Sequence, residues 1–238
     1  MTLQWEGLPR LFPAFESPER WLPVLREHAR LLAAAAPAVR VTSVPVEEWP
    51  GRHYAEALEL LRLVLERGDG RVPGSVIDVG SGGGFPGLVI AVLLPGAVVG
   101  LIEPLQKRAR LLKEMAAALG LANVQVAACR GEDAGRGELR GSAEVVTARA
   151  VAPLRELLEY TAPLAAADGL IALPKGSALE RELGDAEAAM EALGVAAGGS
   201  TPMRAVVSET LRIAFFRKTG ATPARYPRRA GMAAKRPL

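Results

Sequence analysis

The chain has 238 residues, 50% of them hydrophobic, and a formal net charge of +3 at pH 7. This length suits one large domain with a substantial core, so neither disulfides nor metals are needed to stabilise it. Cys129 is the single cysteine, which excludes an intrachain disulfide framework and a cysteine-based zinc site. The first twelve residues lack the basic segment and apolar core of a secretory signal. We therefore expect a cytoplasmic protein without a metal site.

Residues 79–102 contain no charged residue, and their number alone would permit a membrane span. Seven glycines and two prolines interrupt this stretch. Such interruptions favour a buried helix between two buried strands. We therefore expect no membrane helix and no membrane partner.

Residues 1–70 are predicted to form a helical extension. A first helix over 18–36 has Ser17 as its cap, Pro18 at its first position and apolar residues at helical spacing. A second helix over 51–68 ends at Gly68.

From residue 71 onward, apolar strands and helices alternate. Strands are predicted over 75–80, 97–103, 124–130, 143–150, 169–176, 203–208 and 210–218, and helices over 86–96, 104–120, 153–164 and 178–194. This order predicts an α/β fold with five parallel strands, helices on both faces and an antiparallel hairpin at one edge. We divide the chain into a helical extension (1–70), an α/β domain (71–218) and a basic tail (219–238).

A glycine-rich turn, VIDVGSGGGFPG (76–87), follows the first predicted strand. Glycine there permits positive φ and lets a ligand approach the backbone, while the next helix offers unpaired N–H groups. Gly82, Gly84 and Gly87 satisfy the dinucleotide-binding pattern, and Glu103 ends the next strand, where an acid can hold a ribose hydroxyl. An NAD-dependent dehydrogenase is therefore one interpretation.

Asp78 favours a different ligand. A carboxylate two residues before the first glycine repels a pyrophosphate and attracts an ammonium group. S-adenosylmethionine carries an amino-acid ammonium and a ribose diol and has no phosphate. We interpret Asp78 as the acceptor for the methionine amine, directly or through water. The alternative is that Asp78 only braces the turn by accepting backbone N–H bonds.

Residues 76–126 resemble the RsmG family, also called GidB, which differs from other class I methyltransferases by Phe85, Pro86 and Gly87 after the glycines. Further similar stretches are RHYAEALELL (52–61), TARAVAPL (147–154), the pair KG (175–176) and the tail RYPRRAGMAAKRPL (225–238). The resemblance implies a Rossmann-like, seven-stranded, S-adenosylmethionine-dependent enzyme that methylates N7 of one guanosine in the decoding-region loop of 16S rRNA. It implies cofactor contacts that, with Asp78 and Gly82, make the predicted cofactor site: Asp78, Gly80, Gly82, Phe85, Glu103, Pro104, Leu105, Gly131, Glu132 and Arg149.

Guanine N7 has a free lone pair and no proton, so this reaction requires no general base. Arg149 and Lys175 end the fourth and fifth predicted strands, at the edge where open α/β sheets bind ligands. They are the candidates for holding guanine O6, a phosphate or the cofactor carboxylate. A solvated strand-end charge is the alternative for each, and we assign no catalytic acid or base.

The basic excess lies at the C-terminus. From Arg217 onward the chain has seven Lys or Arg residues and no acidic residue, whereas residues 1–216 have 22 basic and 26 acidic residues, a net charge of −4. Such clusters contact phosphates, and Tyr226 can stack on an unpaired base. The alternatives are a disordered tail and a non-catalytic RNA-binding module. The predicted contacts to 16S rRNA or the small ribosomal subunit are Lys175, Arg225, Tyr226, Arg228, Arg229, Lys235 and Arg236.

Overall fold

The computed structural model of the protein describes residues 3–149 and 152–238. Seven strands in these residues form one sheet in the order β3-β2-β1-β4-β5-β7-β6. Strands β1 to β5 are parallel, and β7 runs antiparallel to both of its neighbours. The predicted seven-stranded sheet is therefore confirmed. Its strands are β1 (Ser75–Val79), β2 (Val98–Ile102), β3 (Val124–Ala127), β4 (Ala143–Ala148), β5 (Ala165–Lys175), β6 (Val195–Pro202) and β7 (Arg212–Lys218).

Helices cover both faces of the sheet, and each face has its own hydrophobic cluster. The central strands are almost wholly apolar because both of their faces are buried. The helices are α1 (Leu8–Leu11), α2 (Pro18–Ala35), α3 (Glu56–Arg67), α4 (Gly87–Leu93), α5 (Gln106–Ala118), α6 (Gly131–Ala134), α7 (Leu154–Thr161), α8 (Leu179–Asp185), α9 (Glu187–Leu193) and α10 (Met232–Lys235). No helix of the described residues is long and apolar enough to cross a membrane.

Three local predictions were wrong. The sixth strand is β6 rather than residues 203–208, and its Gly198-Gly199 pair, typical of a loop, lies at a bulge with Gly199 at φ +81°. The helix predicted over 178–194 is divided into α8 and α9 at Ala186. Ser17 precedes α2 at φ +55° and its side chain makes no cap hydrogen bond.

The helical extension packs onto one face of the sheet and shares that face's hydrophobic cluster. A π-helical turn, Pro50–Ala55, leads directly into α3. Both α2 and α3 contact α4, the helix that follows the glycine turn. The extension therefore adjoins the carboxyl edge of the sheet.

The basic tail is folded against α7 rather than detached from it. Glu159 of α7 is 1% exposed and pairs with Arg228 at 2.5 Å. Arg140 donates to the carbonyl oxygens of Thr222 and Tyr226. The tail is thus held by buried polar contacts.

Candidate active site

The glycine turn joins β1 to α4 through residues that need glycine. Gly80, Gly82 and Gly84 have φ of +75°, +55° and +93°, a region that L side chains rarely adopt. A Cβ at Gly87 would collide with Leu101 Cδ2 and lie 2.9 Å from Asp78 Oδ2. The turn therefore brings the backbone close to the carboxylate of Asp78.

Asp78 is fully buried, and its two oxygens have different surroundings. Oδ2 accepts a 3.0 Å hydrogen bond from the Gly87 N–H, so Asp78 braces the glycine turn. Oδ1 is buried and has no hydrogen-bond partner among the described residues. Burial raises the pKa of Asp78 to about 6. A buried acceptor without a donor fits an ammonium ligand, which would supply the missing hydrogen bond.

Glu103 is placed directly after β2, beside the same turn, and is 2% exposed. Its Oε2 accepts from the Gly82 N–H and its Oε1 from the Leu105 N–H, both at 2.9 Å. Each carboxylate oxygen can accept a further hydrogen bond. Glu103 therefore braces the turn from the β2 side and remains able to accept from a ribose hydroxyl.

The predicted contacts after β3 adjoin the tail. Gly131 and Glu132 begin α6, and Glu132 Oε1 accepts a 2.9 Å hydrogen bond from the Gly231 N–H.

Leu105, in the turn after β2, is 53% exposed. This apolar surface suits the ring of an adenine.

Phe85 lies in the core, with 5% of its surface exposed. The rings of His28, His53 and Tyr54 surround it at centroid distances of 4.8–5.1 Å. Its side chain therefore joins the glycine turn to the helical extension.

His28 connects the extension to the turn by hydrogen bonds. Its Nε2 lies 2.9 Å from the Gly83 carbonyl oxygen and its Nδ1 2.9 Å from the Tyr54 hydroxyl. Because a carbonyl only accepts, Nε2 carries the proton and Tyr54 donates to Nδ1. Burial lowers the pKa of His28 to about 4, which keeps the ring neutral. No sequence pattern signals this contact, which spans 55 positions.

Arg149 is paired with the extension and is therefore not a solvated strand-end charge. It donates to Glu56 Oε2 at 3.1 Å and to the Arg52 carbonyl oxygen at 3.3 Å, and lies over the Phe85 ring at 5.3 Å. Its Nη2 is 3.2 Å from His53 Nδ1. Burial lowers the pKa of His53 to about 4, and the charge of Arg149 adds to this effect.

Lys175 at the end of β5 also has partners. Its side chain is 10% exposed, pairs with Glu182 Oε2 at 2.5 Å and donates to the Ala152 carbonyl oxygen at 3.3 Å. The same Glu182 oxygen accepts from the Leu154 N–H at the start of α7. The solvated alternative is wrong here as well, and Glu182 was missed because it lies on a helix and meets Lys175, at a strand end, only in the folded chain.

A cleft of about 700 Å³ is lined by the glycine turn, Phe85, Arg149 and Lys175, whereas Asp78, Glu103, Leu105, Gly131 and Glu132 are not among its lining residues. The glycine turn forms one wall, the extension a second, and the ends of β4 and β5 a third. The wall from the extension was not predicted. The polar residues lining the cleft include Thr42, Ser43, Arg52, His53, Glu56, Ser81, Arg149, Lys175 and Glu182.

The predicted RNA contacts in the tail divide into two groups. Arg225, Arg229, Lys235 and Arg236 are exposed. Tyr226 is 7% exposed, with the guanidinium groups of Arg225 and Arg228 over its ring. Tyr226 is therefore not free to stack on a base in this conformation, because the tail folds over it.

The chain is similar to a known protein family and to named members of it. A family model described as GidB, rRNA small subunit methyltransferase G, matches residues 24–203. A protein of Roseiflexus castenholzii named ribosomal RNA small subunit methyltransferase G is 41% identical over 202 residues, 84% of each chain. One of the same name from Sorangium cellulosum is 40% identical over 203 residues, 84% of this chain and 81% of that protein.

Solved structures share the fold at low identity. A SAM-dependent methyltransferase from Aquifex aeolicus has a TM-score of 0.53 and 18% identity, covering 69% of this chain and 93% of that one. The antibiotic-resistance methyltransferase Kmr has a TM-score of 0.51 and 19% identity, covering 66% of this chain and 93% of that one.

Proposed function

The chain belongs to the rRNA small subunit methyltransferase G family, and from this we propose that it methylates N7 of one guanosine in the decoding-region loop of 16S rRNA. It is an S-adenosylmethionine-dependent rRNA methyltransferase. The proposal concerns the atom, the nucleotide and the residues that act. The observation that best supports the residues assigned to the cofactor is the buried Asp78 Oδ1 beside the glycine turn, which has no hydrogen-bond partner among the described residues.

The residues around the turn fit the cofactor. Asp78 Oδ1 would accept from its amine, Glu103 from its ribose, and Gly80 and Gly82 allow close approach of the backbone. We assign Gly131 and Glu132 to the adenosine end, together with the segment after β2. When bound, S-adenosylmethionine supplies a methyl group on a positively charged sulfur.

The cleft would promote methyl transfer by positioning the target guanine. Guanine N7 has no proton to lose, so no side chain acts as a base. The buried histidines His28 and His53 are both held neutral by their low pKa values and engaged in hydrogen bonds. Alignment of two bound reactants lowers a barrier by on the order of 7–11 kcal/mol.

RNA recognition outside the cleft would use the exposed cations of the tail. Arg225, Arg229, Lys235 and Arg236 are exposed, and basic clusters of this kind bind phosphates. Arg228 is engaged with Glu159 and contributes to folding of the tail. The substrate is 16S rRNA or the small subunit, and the reaction is cytoplasmic.

Family membership argues against both alternatives from the sequence. An NAD-dependent dehydrogenase needs a side chain that exchanges a proton with the substrate as the hydride passes to NAD, and Lys175, the candidate at the end of β5, is engaged with Glu182. A non-catalytic RNA-binding module would have no use for the buried acceptor on Asp78.

Methyl transfer from labelled S-adenosylmethionine to 16S rRNA and to small subunits lacking the modification tests the proposal. Cleavage at alkali-sensitive N7-methylguanosine then maps the product. A single labelled guanosine in the decoding-region loop is expected. Label at another atom or in another RNA region would contradict the proposed target, while cofactor binding without any labelled rRNA would contradict the proposed substrate.

A further inference from the structure

The third wall of the cleft carries a cation and a carboxylate side by side. Lys175 ends β5 and Glu182 belongs to α8, and both line the cleft next to Arg149. Of the three donors of the Lys175 ammonium, one is engaged with Glu182 Oε2 and one with the Ala152 carbonyl oxygen. Among the described residues it has no third partner, so one donor is left for a ligand.

Glu182 has acceptor capacity on the same wall. Its Oε2 forms an ion pair with Lys175 at 2.5 Å and accepts from the Leu154 N–H. Its Oε1 has no hydrogen-bond partner among the described residues. The side chain is 19% exposed and lines the cleft.

Another carboxylate on the cleft wall, Glu56, is less available. It pairs with Arg149 at 3.1 Å and with Arg52 at 3.6 Å, and is 8% exposed. Each of its two oxygens therefore already faces a cation. Glu182 shares its charge with a single cation and is the better acceptor for a neutral ligand.

The Lys175 and Glu182 pair matches one edge of guanine. The Watson–Crick edge presents O6 as an acceptor, followed by the N1–H and N2–H donors. O6 also adjoins N7, so a base with N7 turned toward the glycine turn can place its Watson–Crick edge against a neighbouring wall. Enzymes that act on a single base read that edge when the base leaves its stack.

We propose that Glu182 determines specificity by accepting the N1–H and N2–H hydrogen bonds of the target guanine, while Lys175 donates to O6. The inference rests on the proposed function and names the groups that select its base. Adenine, which has an amino group in place of O6 and no N2 amine, would leave the remaining Lys175 donor and Glu182 Oε1 without a ligand partner. Rejection of this kind is strong when buried polar groups are left unpaired.

Inosine lacks only the N2 amine of guanine and keeps N7. We would compare 16S rRNA containing either guanosine or a single ligated inosine at the mapped position, in whichever form, naked or assembled, the protein methylates. The proteins are wild type, Glu182→Gln and the control Glu180→Gln, whose residue is exposed on the same helix and does not line the cleft. Calorimetric affinity for S-adenosylmethionine monitors folding and the cofactor site.

For wild type and E180Q, inosine should lower kcat/KM about tenfold, as expected for one lost hydrogen bond to a charged group. E182Q should lower kcat/KM for guanosine by about tenfold, bring the two RNAs within about twofold of each other, and leave cofactor affinity unchanged.

Three results would overturn the proposal. The first is equal activity of wild type on the two RNAs, a comparison that needs no variant. The second is an equal loss of activity on both RNAs in E182Q, which would limit Glu182 to holding α7. The third is that the wild-type protein binds the cofactor and methylates neither RNA. This result would contradict the proposed function and, with it, the selection of the base by Glu182.

Discussion

The helical extension and the basic tail both lie outside the sheet, and both are anchored by a buried glutamate. Glu59 in α3 is fully buried and binds Arg62 and Arg204 at 2.8 and 2.6 Å. Glu159 in α7 is 1% exposed and binds Arg228. The same kind of pair thus attaches each segment to the domain.

The two segments differ in what they reach. The extension contacts the glycine turn through His28 and pairs with Arg149, so it forms a wall of the cleft. The tail reaches the predicted cofactor site through one hydrogen bond, from the Gly231 N–H to Glu132. Charge composition drew attention to the tail, whereas the buried contacts of the extension, one neutral and one an ion pair, form a wall of the cleft.

The largest effect on stability is expected where a single arginine side chain pairs with a buried glutamate. Arg228→Ala removes the cation that pairs with the buried Glu159, which keeps only the backbone N–H of residue 228 as a donor from the tail, and should lower the free energy of unfolding by about 3 kcal/mol. Arg204→Ala should cost less, because Arg62 still pairs with Glu59. Urea unfolding measures both, with the exposed Arg229→Ala as control. Equal losses for the two anchors would contradict this account.

Arg149→Ala removes the cation shared by the cleft and the extension. It leaves the buried Glu56 with only Arg52, at 3.6 Å, and should lower kcat/KM for rRNA by on the order of 100-fold, about 2.7 kcal/mol. Single-turnover methyl transfer measures this loss. Turnover near that of wild type would show that Arg149 does not contribute to methyl transfer.

Weaker effects are expected along the path from the extension to the turn. His28→Ala leaves the Tyr54 hydroxyl and the Gly83 carbonyl oxygen without their partner and should cost about 2 kcal/mol of stability. Its cofactor affinity should also fall, since the turn loses a support. Tyr54→Phe removes only the hydroxyl and should cost about 1 kcal/mol. Cofactor titration measures the Kd of both variants. Values equal to that of wild type would show that the extension does not support the turn.

The sequence was sufficient where local pattern decides structure. The apolar runs of β1 and β2 and the glycines after Asp78 were recognisable because burial and positive φ restrict residue type directly. The edge strand β6 was not, since its glycines and proline resemble a loop.

Contacts between distant segments could not be predicted in the same way. His28 meets Gly83 and Arg149 meets Glu56 only after the helices pack. Tyr226 was interpreted as available for stacking because composition does not show that the tail folds back over its ring.

The central claim is that the carboxylate of Asp78 receives the amine of the cofactor, and the pH dependence of cofactor affinity tests it directly. An α-amino group has a pKa of about 7.7–8.0 and stays charged below pH 7, whereas burial raises the pKa of Asp78 to about 6. As pH falls below 6, the aspartate must lose a proton to bind, so the Kd of wild type should rise about tenfold per pH unit. Asp78→Asn should bind about 10-fold to 100-fold more weakly at pH 7 and show no such rise. Parallel pH profiles for the two proteins, or an unchanged Kd for D78N at pH 7, would contradict the account.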